Sequence, residues 1–186
     1  RMEKVKNYDH TEHTHRFAIW TAARAAQRGF TTTKNIGQAI ELTDLRRFSQ
    51  SEKDMSAEEF DEWHKKQCHA LMTYLNNQDK INTQGNVVGN LQCSYGRAAK
   101  IIAIYLKTRV VIPKPNDKLS SIIHPPIDAI LIKNLYQNRK ELKFNSVFKS
   151  LKWTQTDETE YFELIYHLRQ IVKDAPFWKL EYYWRV

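Results

Sequence analysis

Apolar residues recur at three- and four-residue spacing along most of this chain and strict alternation is nearly absent, so the pattern predicts helices joined by polar loops. From Thr14 the run HRFAIWTAARAAQR sets Phe17, Trp20 and Ala23, then Arg24, Gln27 and Arg28, on helical spacing, and Gly29 stands where that helix should stop. Thr33 reads as the cap of a second helix through NIGQAIELTDLRRF, with Ile36, Ala39, Ile40 and Leu45 as its apolar stripe. Ser56 followed by Glu59 is a capping box, in which a hydroxyl and a carboxylate each satisfy an amide at a helix start. It predicts a long helix to Asn76 that turns Phe60, Trp63, Leu71, Met72 and Leu75 inward.

The polar stretch NNQDKINTQGNVVGNLQ reads as a loop with a short hairpin around Gly85. Three further helices follow: GRAAKIIAIYLKTR, PPIDAILIKNLYQN with proline in its first turn, and DETEYFELIYHLRQIVKD with acidic residues at its dipole-positive start. Between the first two of these, VVIPKPNDKLSSIIH is expected to cross the surface, and the aromatic end APFWKLEYYWRV to complete the core. The expected fold is all-α: an irregular multi-helix single domain over residues 1–186 rather than a bundle with short turns.

Composition narrows the function classes. The hydrophobic fraction of 41% is ordinary for a globular domain, and no apolar run approaches the roughly 20 residues that span a bilayer, so no membrane partner is expected. The start, RMEKVKNYDHTEH, carries no apolar signal segment, and Cys68 and Cys93 stand alone, which together suggest a reducing, cytoplasmic setting without a disulfide framework; a monomer is expected. The net charge of +8 favours a polyanionic partner, with DNA first, because each phosphate neutralised by Lys or Arg releases counterions. Arg46, Arg47, Arg97, Lys107 and Arg109 are the candidate phosphate contacts.

The chemistry is concentrated between Tyr95 and Leu131. Gly96, Ala98 and Ala99 fill the first turn of their helix with small residues, which would leave backbone amides open to a phosphate at the positive end of the helix dipole. Lys100 lies one turn in, where dipole and burial both disfavour the ammonium, a placement that suits a nucleophilic amine. Asp128 falls in the first turn of the next helix, where the dipole favours its carboxylate and the rigid HPP before it sets its direction. The connection between them is long enough to bring both helix starts to the same end, although the sequence does not demand it.

GRAAKIIAIYL followed by PPIDAIL resembles the helix-hairpin-helix DNA glycosylases, whose pattern is Gly-x-Gly-x-Lys and then Pro-Val-Asp ahead of a helix. Gly96 stands for the first hairpin glycine, Ala98 for the second, Lys100 for the lysine, and Pro126, Ile127 and Asp128 for Pro-Val-Asp. The resemblance favours the 8-oxoguanine glycosylase/AP lyase branch. It implies Lys100 as the nucleophile that forms a Schiff base with the sugar, Asp128 as its electrostatic partner, and Gly96, Arg97 and Ala98 as DNA-backbone contacts. It implies no cofactor, and two cysteines exclude the four-cysteine iron–sulfur cluster of some members. This chain departs from the pattern in Ala98, in a polar loop where the first helix of the hairpin should be, and in a longer lysine-to-aspartate spacing.

Trp20, Gln27, His124 and Trp184 are the candidates for a base pocket, since an extruded base is held between a flat apolar face and groups that read its edge. The plainer readings are core packing for Trp20 and Trp184, a surface face for Gln27 and a loop position for His124. Asp9, His10 and His13 could ligate a metal and support hydrolysis, but a solvated helix start accounts for them more simply, so no metal site is expected. The remaining alternative is a non-catalytic helical DNA-binding or interaction protein with a glycosylase-like frame.

Overall fold

The structure, a computed structural model, describes residues 7–51 and 54–185. Its first helix, α1 (His10–Ala26), starts a turn earlier than the apolar pattern indicated, because the Asp9 carboxylate accepts the Glu12 amide at 2.6 Å. The helix meets the core through Ala18, Ala22, Ala23 and Ala26, and Phe17 and Trp20 face solvent. That overturns core packing for Trp20. An alanine face lets two helices approach closely, which indole and phenyl rings would prevent.

Thr32, not Thr33, caps α2 (Thr33–Glu41) by accepting the Asn35 amide. The single helix expected through Phe48 is broken: Thr43 Oγ bonds back to the Ile40 carbonyl at 2.6 Å and Gln67 takes the Asp44 amide, so the chain restarts as the short α3 (Leu45–Ser49). The Ser56–Glu59 capping box is present and opens α4 (Ala57–Asn76), which buries Phe60, His64, Cys68, Leu71 and Leu75. Trp63 is half-buried and stacks on Phe48. The loop around Gly85 is an antiparallel hairpin of β1 (Asp79–Ile81) and β2 (Val87–Asn90), where Gly85 takes a positive φ of 86° that a side chain would strain.

Helix α5 (Tyr95–Leu106) is the centre of the molecule. Ser94 caps it, α1 and α4 pack along it, and its Tyr95, Ile101, Ile102, Tyr105 and Leu106 are fully buried. Each such aliphatic or aromatic side chain contributes about 1.5–3 kcal/mol by leaving water. The helix runs on into a π turn at Lys107–Val111 that the pattern did not signal. The next segment does not simply cross the surface, for it folds as α6 (Lys118–Ile122) and buries Val110, Val111, Leu119 and Ile123.

Pro125 and Pro126 precede α7 (Ala129–Gln137) as buried extended backbone instead of occupying its first turn, so Asp128 is the N-cap residue rather than a residue inside the helix. After α8 (Arg139–Leu142) and a 3₁₀ turn at Ser146–Ser150, a second capping box, Asp157 with Glu160, opens α9 (Glu158–Val172). A 3₁₀ segment at Phe177–Tyr183 buries Phe177 and Leu180, while Tyr182 is largely exposed and Trp184 keeps 41% of its surface in solvent. The fold is all-α apart from the hairpin, and among the described residues no helix is long and apolar enough to cross a membrane.

Candidate active site at Lys100 and Asp128

Two helix starts converge here. Lys100 projects from the second turn of α5 and Asp128 caps α7, with Lys100 Nζ donating to Asp128 Oδ2 at 3.2 Å. Both residues are more than nine-tenths buried. The two carboxylate oxygens have separate duties. Oδ1 accepts the Ile130 and Leu131 amides, each at 3.0 Å, and holds the start of α7; Oδ2 faces Lys100 and accepts the Trp184 indole N–H at 2.9 Å.

Burial works against ionisation of Asp128, but the Leu131 amide, the Trp184 indole and the Lys100 ammonium outweigh it and hold the carboxyl below its ordinary range. The ammonium also lies 4.3 Å from the centre of the Trp153 ring, whose face stabilises a cation. At the start of the π turn that follows α5, Lys107 pairs with Glu181 and stands 5.9 Å from the Trp184 ring. Glu181 is shifted up, chiefly by burial and further by Asp128, although Lys107 opposes the shift. An oriented anion and flat aromatic faces on two sides suit stabilising a carbocation, which the lysine can capture only after its ammonium has passed a proton on.

The small residues of α5 serve packing rather than an open anion site, which corrects the expectation that their amides face a phosphate. Gly96 is buried and donates its amide to the Thr156 carbonyl at 3.0 Å, and a methyl group on it would collide with the Trp153 carbonyl. The Ala98 amide goes to the Ser94 carbonyl, and Ser94 Oγ takes the Arg97 amide. Gly96 and Ala98 therefore sit in helical backbone, preceded by the β-hairpin, and no helix leads into them. Their effect is to let the Trp153–Thr156 turn press against α5 and place the Trp153 ring over Lys100.

Arg97 is half-buried between Phe30 and Trp153, 4.6 and 5.7 Å from their ring centres, and donates to the Ala26 carbonyl. Burial lowers its pKa. Of the other phosphate candidates, Arg46 pairs with Glu12, Arg47 with Asp44 and Lys107 with Glu181, and Arg109 bonds Thr14 and Ser49. No family model, curated protein or solved structure matches this chain.

Of the four base-pocket candidates, Trp184 joins the site directly. His124 does not. It is buried in a separate cluster, with Nε2–H donating to Asp61 Oδ1 at 2.9 Å and Nδ1 accepting the Tyr161 hydroxyl at 3.0 Å. Arg169 clamps Asp61 with two bonds of 2.6 and 2.7 Å, and His64 stacks on Tyr161 alongside. This cluster anchors the backbone just ahead of Pro125 and so fixes where Asp128 emerges. Trp20 and Gln27 lie on α1, outside the hydrogen bonds of the Lys100 cluster, with Gln27 half-buried as the helix C-cap.

Trp153, Lys107 and Glu181 were not anticipated at the site. Lys107 had a signal, since two helical turns separate it from Lys100 on the same side of α5; Trp153 and Glu181 arrive from distant chain segments. Asp9 is occupied as the α1 cap and His13 faces the Tyr8 hydroxyl, and no group of three or more His, Cys, Asp or Glu among the described residues could hold a metal. Cys68 and Cys93 are buried, and desolvation raises both thiols, Cys93 to about 12, so neither is a thiolate nucleophile. The cavity of about 380 Å³ lined by Ser49, Asp54, Arg109, Lys114 and Lys118 includes neither Lys100 nor Asp128.

Proposed function

We infer that this protein is a DNA glycosylase-like base-excision enzyme with AP lyase activity, acting on a damaged purine such as 8-oxoguanine. The observation that carries the reading is the 3.2 Å contact between Lys100 and Asp128, because the motif resemblance requires these two residues to share one site. The net charge of +8 supports a DNA partner.

In this mechanism the N-glycosidic bond breaks with its electron pair leaving on the base, and Asp128 steadies the positive charge that develops on the sugar. The departing base takes a proton from the Lys100 ammonium, and the freed amine bonds to C1′; the ring opens to a Schiff base as O4′ takes one of the remaining amine protons, and transfer of a C2′ proton to water expels the 3′ phosphate by β-elimination. Asp128 suits the electrostatic part because its lowered pKa keeps it ionised. Gly96 and Ala98 act as spacers that seat Trp153 on Lys100, rather than as phosphate contacts. Because the pair is nearly closed to solvent, a sugar reaches it only if groups that cover it, Trp153 and Trp184 among them, move aside.

Incubation with duplex DNA carrying one 8-oxoguanine tests the activity. Release of the base and scission on its 3′ side are expected from the parent protein and absent from Lys100→Gln; scission undiminished in that variant would place the chemistry elsewhere. The closed ion pair and the occupied amides of α5 favour a second reading, a non-catalytic DNA-binding protein. That reading requires salt-sensitive DNA binding, unchanged in Asp128→Asn, with no strand scission on any lesion.

A further inference from the structure

Helix α1 turns two large aromatic rings away from the core. Phe17 and Trp20 are 51% and 55% exposed, and their rings stack with centroids 6.0 Å apart and planes 25° from parallel. The fold gains little from rings left in water, since the alanine face already seats α1. Arg24 follows Trp20 one helical turn on, and Arg28 lies in the turn just past the helix C-cap; both are exposed, and among the described residues no carboxylate pairs with either. Arg16, Arg46, Arg47 and Arg169 are all ion-paired within the protein.

This face therefore combines flat π surfaces with uncommitted positive charge, one arginine about 6 Å beyond Trp20 along the helix axis and a second in the turn that follows the helix. Thr21, one turn beyond Phe17 at the edge of this face, meets the Thr108 hydroxyl at 3.3 Å, which sets that edge against the π turn that carries Lys107. A second copy of the chain fits the face poorly, because two-fold pairing would bring like guanidinium groups together. A single strand of nucleic acid offers both complements at once, bases to stack and phosphates to neutralise.

We propose that Phe17, Trp20, Arg24 and Arg28 form a stacking platform for unpaired bases of a DNA strand, with the rings taking bases and the arginines the adjoining phosphates. The proposal rests on the reading above for its partner, DNA, but not on the lysine chemistry. Stacking of this kind is tolerant of base identity, so the platform holds a strand beside the site without choosing the lesion.

The test is anisotropy of a labelled short oligothymidine over a salt series with the parent, Lys100→Gln, Phe17→Leu/Trp20→Leu and Arg24→Gln/Arg28→Gln proteins. Leucine keeps an apolar surface at these exposed positions and removes the π faces. Expected results are parent-like binding by Lys100→Gln, binding weakened roughly tenfold or more by the leucine pair, and a log–log salt slope shallower by about 1.4 for the glutamine pair. Unchanged binding by the leucine pair would overturn the proposal, as would a parent dimer that the leucine pair converts to monomers. A strand-binding parent that never cleaves DNA leaves the platform standing and removes the excision reading; cleavage and strand binding undiminished in the leucine pair do the reverse.

Discussion

Lys100 Nζ stands 3.2 Å from Asp128 Oδ2 although 28 positions separate the two residues in the chain. The pair is buried but unequally supported. Asp128 also holds two backbone amides and an indole N–H, whereas the only other stabilising contact described for Lys100 Nζ is the Trp153 face. Removing one partner should therefore cost more when the aspartate is the one removed. Asp128→Asn keeps an acceptor for the α7 cap but leaves an unpaired buried ammonium, a loss of about 3 kcal/mol. Lys100→Met leaves a carboxylate with three donors and an aliphatic stem of similar volume, so the loss is that of one charged hydrogen bond, about 1.5 kcal/mol. Urea denaturation of both variants checks the asymmetry, and equal losses would contradict it.

Gly96→Ala should be among the most damaging single-methyl changes in this chain. The added carbon meets the Trp153 carbonyl, a backbone atom that cannot swing aside, and threatens the Gly96 amide bond to Thr156. The expected cost is about 3 kcal/mol. The accompanying shift of Trp153 should reduce Lys100-dependent activity even in the folded fraction. A variant as stable and active as the parent would remove the spacer role assigned to Gly96.

Acidification should destabilise the protein in stages. Burial first, and in the case of His64 the neighbouring His124 as well, lowers the pKa of both histidines from 6.5, while Asp61 partly restores that of His124. Below 6.5 the unfolded chain binds protons that the folded chain refuses, so stability falls with pH by up to about 1.4 kcal/mol per unit for each histidine. Asp61 adds a later loss. Despite the burial that opposes it, Arg169 and His124 hold its carboxyl well below 3.8, so it stabilises the fold above that value and stops doing so as it protonates. Denaturation midpoints taken between neutral and acid pH should fall from 6.5 downward, and a flat profile between 6.5 and 5 would contradict the buried neutral histidines.

Trp184→Phe removes one of the donors to Asp128 Oδ2 while retaining an aromatic ring. The carboxyl pKa should rise, and stability at neutral pH should fall by about 1 kcal/mol. A carboxyl carbon NMR titration of Asp128 in the two proteins reads the direction of the shift. No rise would mean that the indole contact contributes little to keeping the carboxylate ionised.

The parts of this fold that were legible in the sequence are those fixed by local chemistry. Ser56 and Glu59 mark the start of α4 because a capping box acts within four residues, and Gly85 marks the hairpin because few residues accept its φ. Lys100 and Asp128 were nameable as a pair through their motif, but their contact depends on how α5 and α7 pack. Trp20 shows where periodicity misleads: spacing identifies a helical face but not which face meets the core, and the alanines of α1 won that contest. The small residues of α5 were recognised as allowing close approach, yet only tertiary structure shows that the approaching group is the Trp153 carbonyl rather than a phosphate.

The covalent step offers the most direct measurement of the central claim. Borohydride reduction of the protein mixed with DNA bearing an 8-oxoguanine or an abasic site should trap a protein–DNA adduct whose modified peptide carries the sugar remnant on Lys100. Lys100→Gln should abolish the adduct, and Asp128→Asn should slow its formation on the damaged base more than on the abasic site, where no glycosidic bond remains to break. An absence of adduct with both substrates, or attachment to another residue, would contradict the account.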